Sequence, residues 1–114
     1  MAFVDSTLKV GADAIAARIT HISLHTTGAV SSSANESTAS RQAVTWTVDS
    51  DADMTAGPIA FTGGAASGPV ARVGYWTAST GGTYCGGFVQ TGDSAFNAAG
   101  EYTVTSITET GTSS

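Results

Sequence analysis

Three aspartates alternate in the stretch TVDSDADMTAG, at positions 49, 51 and 53, and carboxylates so spaced could surround a hard cation such as calcium. An EF-hand loop counted from Asp49 needs glycine at its sixth position and glutamate at its twelfth. Met54 and Ala60 stand there, which excludes that loop. Asp49, Asp51 and Asp53 remain candidates for a calcium site of another geometry. The favoured alternative is a solvated turn in which Asp and Ser side chains bond to nearby backbone groups. The imidazoles of His21 and His25 fall in an alternating stretch. On a strand they share a face roughly 13 Å apart, too far to hold one zinc together. They are expected to be partly exposed hydrogen-bonding residues. Cys85 is the single cysteine, so neither an intrachain disulfide nor a cysteine-based zinc site can form within one chain. It is expected to be a small semi-buried residue beside Tyr84.

Gly92-Asp93-Ser94 is similar to the nucleophile block of certain esterases. There the block lies near the N-terminus of an α/β chain, whereas here it lies late in a β-rich one, and no G-x-S-x-G elbow is present. A Ser-His-Asp constellation is defined by geometry rather than order, so the two histidines leave it formally open. With Ser and Asp so abundant such combinations arise cheaply, and the expectation is a protein that is not an enzyme. No glycine-rich loop precedes a helix with the lysine that phosphate cradling requires, and no cofactor is expected. Trp46, Tyr75, Trp76, Phe88 and Tyr102 could form a sugar-stacking platform, but alternation turns most of them toward the core.

The chain of 114 residues can build one core, and residues 1–114 are expected to form a single domain. Its cations, Lys9, Arg18, Arg41 and Arg72, are spread out and the net charge is −5. Nucleic-acid binding, which needs clustered cations, is therefore disfavoured, as is adhesion to an anionic membrane. Ser and Gly are abundant, but interleaved Val, Ile, Trp, Tyr and Phe separate the chain from disordered ones. The first twenty residues have neither a basic start nor a long apolar run, so neither a secretory signal nor a transmembrane helix is expected, and synthesis in a cytoplasm follows. Asn35-Glu36-Ser37 fits the glycosylation pattern but carries little weight without such a signal.

The elements that must position these residues follow from periodicity. Leu8, Ala12, Ile15 and Ala16 form one apolar stripe, which predicts a short helix over 7–17, weakened by Gly11. In RITHISLHT, Ile22 and Leu24 alternate with His21, Ser23 and His25, which predicts a strand with one face inward. Residues 27–40 are polar apart from Val30 and predict the longest loop. RQAVTWTVD, with Val44, Trp46 and Val48 on one side, predicts the clearest strand. PIAFT gives another, and PVARVGYWTA one covered on both sides. STGGTYCGGFVQTGD predicts a hairpin turning at Gly81-Gly82, with a bulge or close backbone approach at Gly86-Gly87. GEYTVTSITET alternates Tyr102 and Val104 against Thr103 and Thr105, predicting a last strand. The fold class expected is mainly β: an antiparallel β-sandwich or jelly-roll-like domain of six to seven short strands with a short N-terminal helix. Its parts are an N-terminal arm and helix (1–17), the sandwich (18–107) and a flexible tail (108–114).

Across HISLHTTG, NES and RQAVTWTV the chain resembles a family of small virion proteins of tailed bacteriophages that infect actinobacteria. The matching positions are Ser23 to Thr26, Gly28, Asn35, Glu36, Arg41 to Thr45, Gly74 to Trp76 and Gly86 to Gly87, and the similarity runs from about residue 8 to residue 107. The chain departs from the pattern at Ser40, where an aromatic residue is expected. The resemblance implies a structural role in the virion, assembled in the host cytoplasm. A capsid (head) decoration or minor capsid protein, binding the shell exterior as a trimer, is the first expectation. A tail fibre or baseplate component with a carbohydrate-binding role is the second. Fibres need long repeats, and none is visible here. The implied partners are the major capsid protein or other virion subunits, with Leu8, Ile15, Val30 and Asn35 as candidate contact residues.

Overall fold

The structure, a computed structural model, describes residues 4–27, 29, 32–90 and 94–110. It begins with helix α1 (Asp5–Arg18), a turn longer than the periodicity predicts. Asp5 in the first turn and Arg18 in the last complement the helix dipole. Lys9 and Asp13 add an exposed i,i+4 pair at 3.0 Å, good for a few tenths of a kcal/mol (~0.3). The docking is shallow. Ala12 is the buried residue of the helix, and it sits with partly buried Leu8 and Ala16 on Ala52, Met54, Trp46 and Val48. Ile15, expected in the same stripe, stays 50% exposed.

Strands β1 (His21–His25), β2 (Gln42–Ala43), β3 (Thr47–Val48), β4 (Met54–Ala56) and β5 (Ile59–Phe61) follow in order. Then come β6 (Arg72–Trp76), β7 (Tyr84–Val89), β8 (Tyr102–Val104) and β9 (Ile107–Glu109). All described pairings are antiparallel, in a four-stranded sheet β2-β1-β6-β7, a three-stranded sheet β3-β4-β9 and a pair β5-β8. One apolar core draws on all three: Ile22, Leu24, Val73 and Tyr75 from the first, Ala56 and Ile107 from the second, Phe61, Tyr102 and Val104 from the third. This is the sandwich-like β fold that the alternation predicts. Full burial of side chains such as Phe61 and Leu24 contributes roughly 2 kcal/mol each.

Four expectations change. The single strand over 42–48 is two: β2 belongs to the first sheet, β3 to the second, and residues 44–46 turn the corner between them. Alternation survives the break, since Val44 is buried, Trp46 and Val48 are half-buried, and Thr45 and Thr47 are exposed. The corner is pinned by Val44 N–H donating to Thr20 O at 3.0 Å and Trp46 Nε1–H donating to Ile19 O at 3.1 Å. The last strand also divides, into β8 and β9 in different sheets, so Thr108 and Glu109 lie in a strand and not in a flexible tail. Residues 111–114 lie outside the described residues. Strand β4 occupies part of the stretch taken for a turn. Finally, β1 is covered on both faces: Ser23 and His25 are fully buried, not partly exposed, because the segment after β1 folds back over them through the His25–Glu36 bridge.

Strand β6 is buried along its whole length, as expected of a strand covered on each side. The β6–β7 hairpin turns at Gly81 and Gly82 with φ of +65° and +71°. The register then slips, with Tyr75 opposite Gly86 and Trp76 opposite Tyr84, leaving Cys85 as the extra residue of a bulge. Gly86 has φ +129°, and a Cβ on Gly87 would strike the Val73 carbonyl, so the glycine pair marks both a bulge and a close approach.

Candidate functional site

Six of the positions that carry the resemblance, Ser23, His25, Glu36, Arg41, Gly74 and Trp76, meet in one cluster beside β1 and β6. Ser23 and His25 alternate to the same face of β1, and Gly74 lies opposite Ser23 on β6. A Cβ on Gly74 would stand 2.6 Å from His25 Nε2 and 2.7 Å from Ser23 Oγ, so the missing side chain is what lets the two polar groups meet. Ser23 Oγ lies 2.6 Å from His25 Nε2 and accepts from Trp76 Nε1–H at 2.8 Å. Its own proton must then go to His25 Nε2, which leaves His25 as the Nδ1–H tautomer donating to Ala34 O at 2.9 Å. Burial, with Arg72 beside it, holds the His25 pKa below the usual histidine value and keeps the ring neutral.

Arg72 is fully buried and makes no salt bridge with any described carboxylate. It donates instead to Ala34 O at 2.7 Å, Thr27 O at 3.1 Å and Tyr84 Oη at 2.8 Å. A second arginine closes the cluster from outside. Arg41 forks onto Glu36 at 2.9 and 3.0 Å, donates to Ala78 O and Gly81 O, and lies 3.5 Å over the Trp76 ring. The covering segment is thereby tied to the β6–β7 turn. The Ser23–His25 contact has the distance of a nucleophile and its base, yet both side chains are fully buried, and the Ser23 oxygen already accepts from an indole. Through these bonds the cluster links β1 to β6 and to the segment that covers them.

The aspartates are engaged locally. Asp49 Oδ1 accepts from the N–H groups of Asp51 and Asp53, both at 2.9 Å, and Ala52 has φ +67° in the β3–β4 turn. Among the described residues no group of three or more His, Cys, Asp or Glu side chains is arranged to hold a metal ion. His21 and His25 hydrogen-bond to different neighbours, His21 Nδ1 to Thr20 Oγ1 at 2.9 Å. Ser94 is exposed, while Gly92 and Asp93 lie outside the described residues. Of the candidate contact residues, Leu8 is half-buried, Ile15 and Asn35 are exposed, and Val30 lies outside the described residues. Cys85 is half-buried and free, next to Tyr84 as expected.

A second feature escapes the sequence. A cavity of about 630 Å³ lies between α1 and the bulged part of β7, walled by Leu8, Ile15, Ile19 and Met54 and bordered by Tyr75 and Glu109. Tyr75 is 5% exposed, and its hydroxyl lies against the Glu109 carboxylate as its polar neighbour. Burial raises the Glu109 pKa above the usual carboxylate value, and burial followed by the Glu109 charge raises that of the Tyr75 phenol. Alternation could have pointed to Glu109, which shares a face with Ile107. Arg72, a charge within the apolar run PVARVGYW, carried a similar signal.

Among the described residues no helix is long and apolar enough to cross a membrane. No protein-family model, curated protein or solved structure matches the chain.

Proposed function

We propose that the chain is a structural protein of a bacteriophage virion, a head decoration subunit that binds the capsid exterior and stabilises the shell. The observation that carries this reading is the fate of the residues on which the resemblance rests. Ser23, His25, Gly74 and Trp76 are buried against one another, and Glu36 and Arg41 pair over them at the surface, so that these residues spend their polar groups on each other and stiffen the fold. A mechanical role asks for that. The longest dimension of 46 Å supports a compact surface subunit over a fibre, which must reach tens of nanometres. Exposed Val4, Val10 and Ile15 on and beside α1 offer apolar contacts to neighbouring subunits, among which we include the major capsid protein and further copies in a trimer. The dispersed cations and net charge of −5 agree with a partner that is neither nucleic acid nor membrane.

The test is position and consequence. Immunogold labelling of intact particles is expected over the head, and particles stripped of the protein are expected to lose heat resistance. Label confined to tail tips would overturn the decoration reading in favour of a tail or baseplate component, and a glycan array would then ask whether that component binds carbohydrate.

A further inference from the structure

The segment that covers β1, residues 32–38, brings no large apolar side chain to the sheet beneath it. Its residues are exposed or half-buried, and apolar burial resumes only at Ala39. Polar bonds hold it down. Thr26 N–H donates to Asn35 O at 2.9 Å, Ser37 N–H to Leu24 O at 2.8 Å, and Thr38 Oγ1–H to Gly63 O at 2.8 Å. His25 Nδ1–H and Arg72 Nη2–H both donate to Ala34 O. The His25 ring can serve this cover only while neutral. One nitrogen donates to a carbonyl of the cover, and the other accepts from a serine hydroxyl whose oxygen also receives the Trp76 indole. A second ring proton would point at that oxygen and displace the hydroxyl proton from its bond. It would also set an imidazolium and the Arg72 guanidinium on one carbonyl oxygen, Ala34 O. The other charged and titratable groups facing the ring do not offset this. Tyr84 comes from β7, with 6.0 Å between ring centroids, and Glu36 and Arg41 come from the cover and the residues leading into β2. The Glu36 carboxylate is already bound by Arg41.

We propose that His25 is the catch of an acid-released latch: its protonation lifts residues 32–38 from β1 while the sheets stay folded. Burial first, and the Arg72 charge after it, hold the pKa of the covered ring below the usual 6.5, and solvent admitted by opening restores it. The catch is therefore set above pH 6.5, and opening is favoured progressively as pH falls below it. Because the cover itself buries so little apolar surface, the step lies well short of unfolding. This inference does not depend on the virion reading.

The experiment is amide hydrogen exchange followed by NMR on the full chain at pH 7 and pH 5.5, each rate corrected for the intrinsic pH dependence of exchange. The opening constants at Thr26 and Ser37, whose N–H groups bond across the seam of the cover, are expected to rise about fivefold. Those at Val44 and Phe96, bonded elsewhere to Thr20 O and Gly68 O, are expected to hold. In His25→Gln the pH dependence at Thr26 and Ser37 should vanish. Because His25 is fully buried, a second variant sits at an exposed, uncharged position. Thr38→Ala removes the bond to Gly63 O, and an easier opening must by linkage raise the pH at which the His25 imidazole titrates. A cover that never lifts would leave that titration where it was. Unchanged opening at Thr26 and Ser37, an equal rise at Val44 and Phe96, a persisting pH dependence in folded His25→Gln, or an unmoved His25 titration in Thr38→Ala would overturn the proposal.

Discussion

Two regions of this small protein handle buried polarity in opposite ways. Around His25 each polar side chain has its partners: indole to hydroxyl, hydroxyl to imidazole, imidazole to a carbonyl that also receives Arg72. Under α1 a buried phenol meets a half-buried carboxylate, and among the described residues no cation forms an ion pair with that carboxylate. The first arrangement locks a loop onto a sheet, because a satisfied network in a low-dielectric interior stands or falls as a unit. The second pairs a phenol with a carboxylate whose charge burial disfavours, at the edge of a shallowly docked helix. Substitutions in the two regions should therefore act with opposite sign.

The largest effect is expected at Arg72. Arg72→Met withdraws donors from the part-buried Thr27 O, Ala34 O and Tyr84 Oη at once, and at about 1–1.5 kcal/mol for each charge-assisted bond lost the loss is about 4 kcal/mol. Against a total stability of roughly 5–15 kcal/mol this approaches unfolding at room temperature, which a urea titration followed by tryptophan fluorescence would show. Arg72→Lys, which keeps the charge but not the fork, should recover only part of it. A loss below about 1 kcal/mol in Arg72→Met would break the comparison, since the cluster would then not be holding the loop.

Next in size come the residues between β1 and β6. Ser23→Ala strands Trp76 Nε1 and His25 Nε2, and Gly74→Ala drives a methyl into His25 and Ser23. Each should cost about 2–3 kcal/mol. Because both act on the same atoms, the double variant should cost clearly less than the sum, and a double-mutant cycle measures the difference. Strict additivity would mean that Gly74 is needed for some reason other than making room for the Ser23–His25 contact.

The opposite sign is expected under the helix, at Glu109 and not at Tyr75. Tyr75→Phe keeps the ring contacts with Trp46 and Phe88 and removes a hydroxyl whose polar neighbour is Glu109, so it should move the urea midpoint by the equivalent of less than about 1 kcal/mol at unchanged slope.

How far the sequence announced these regions depends on what each requires. Alternation names the buried face correctly at Tyr102 and Val104, and even at Val44, Trp46 and Val48, where the strand itself is broken. A period of two reports which side faces the core and says nothing about which sheet a residue joins, so the corner at 44–46 and the split between β8 and β9 were not legible. The glycine pair at 86–87 was legible because a bulge and a close backbone approach both demand glycine. The burial of His25 was not, since it depends on a covering segment whose placement follows from long-range bonds such as Arg41 to Gly81. The Tyr75–Glu109 pair joins two strands of different sheets, a proximity that no local pattern encodes.

The smallest effects, below about 1 kcal/mol, should appear as pH dependence, and here too the two regions diverge. In the cluster, the folded His25 has its pKa below the unfolded value of about 6.5, with Arg72, Arg41 and Glu36 the charged groups around it. The unfolded chain then takes up a proton that the folded one refuses, so this contribution is present above pH 6.5 and lost as pH falls below it. Under the helix the folded Glu109 has its pKa above the unfolded value of about 4.5. Its contribution is complete below pH 4.5 and lost as pH rises through the folded value, so ionised Glu109 burdens the fold near neutrality. Glu109→Gln removes that burden. Its stability advantage over the unaltered protein should be greatest near pH 7 and shrink toward pH 4.5, and thermal melts across that interval would record the convergence. A constant gap would mean that Glu109 titrates alike in both states. The carboxylate would then not be held in a poorly solvated site, and the contrast between a fully hydrogen-bonded interior and a carboxylate short of solvent would lose its second member.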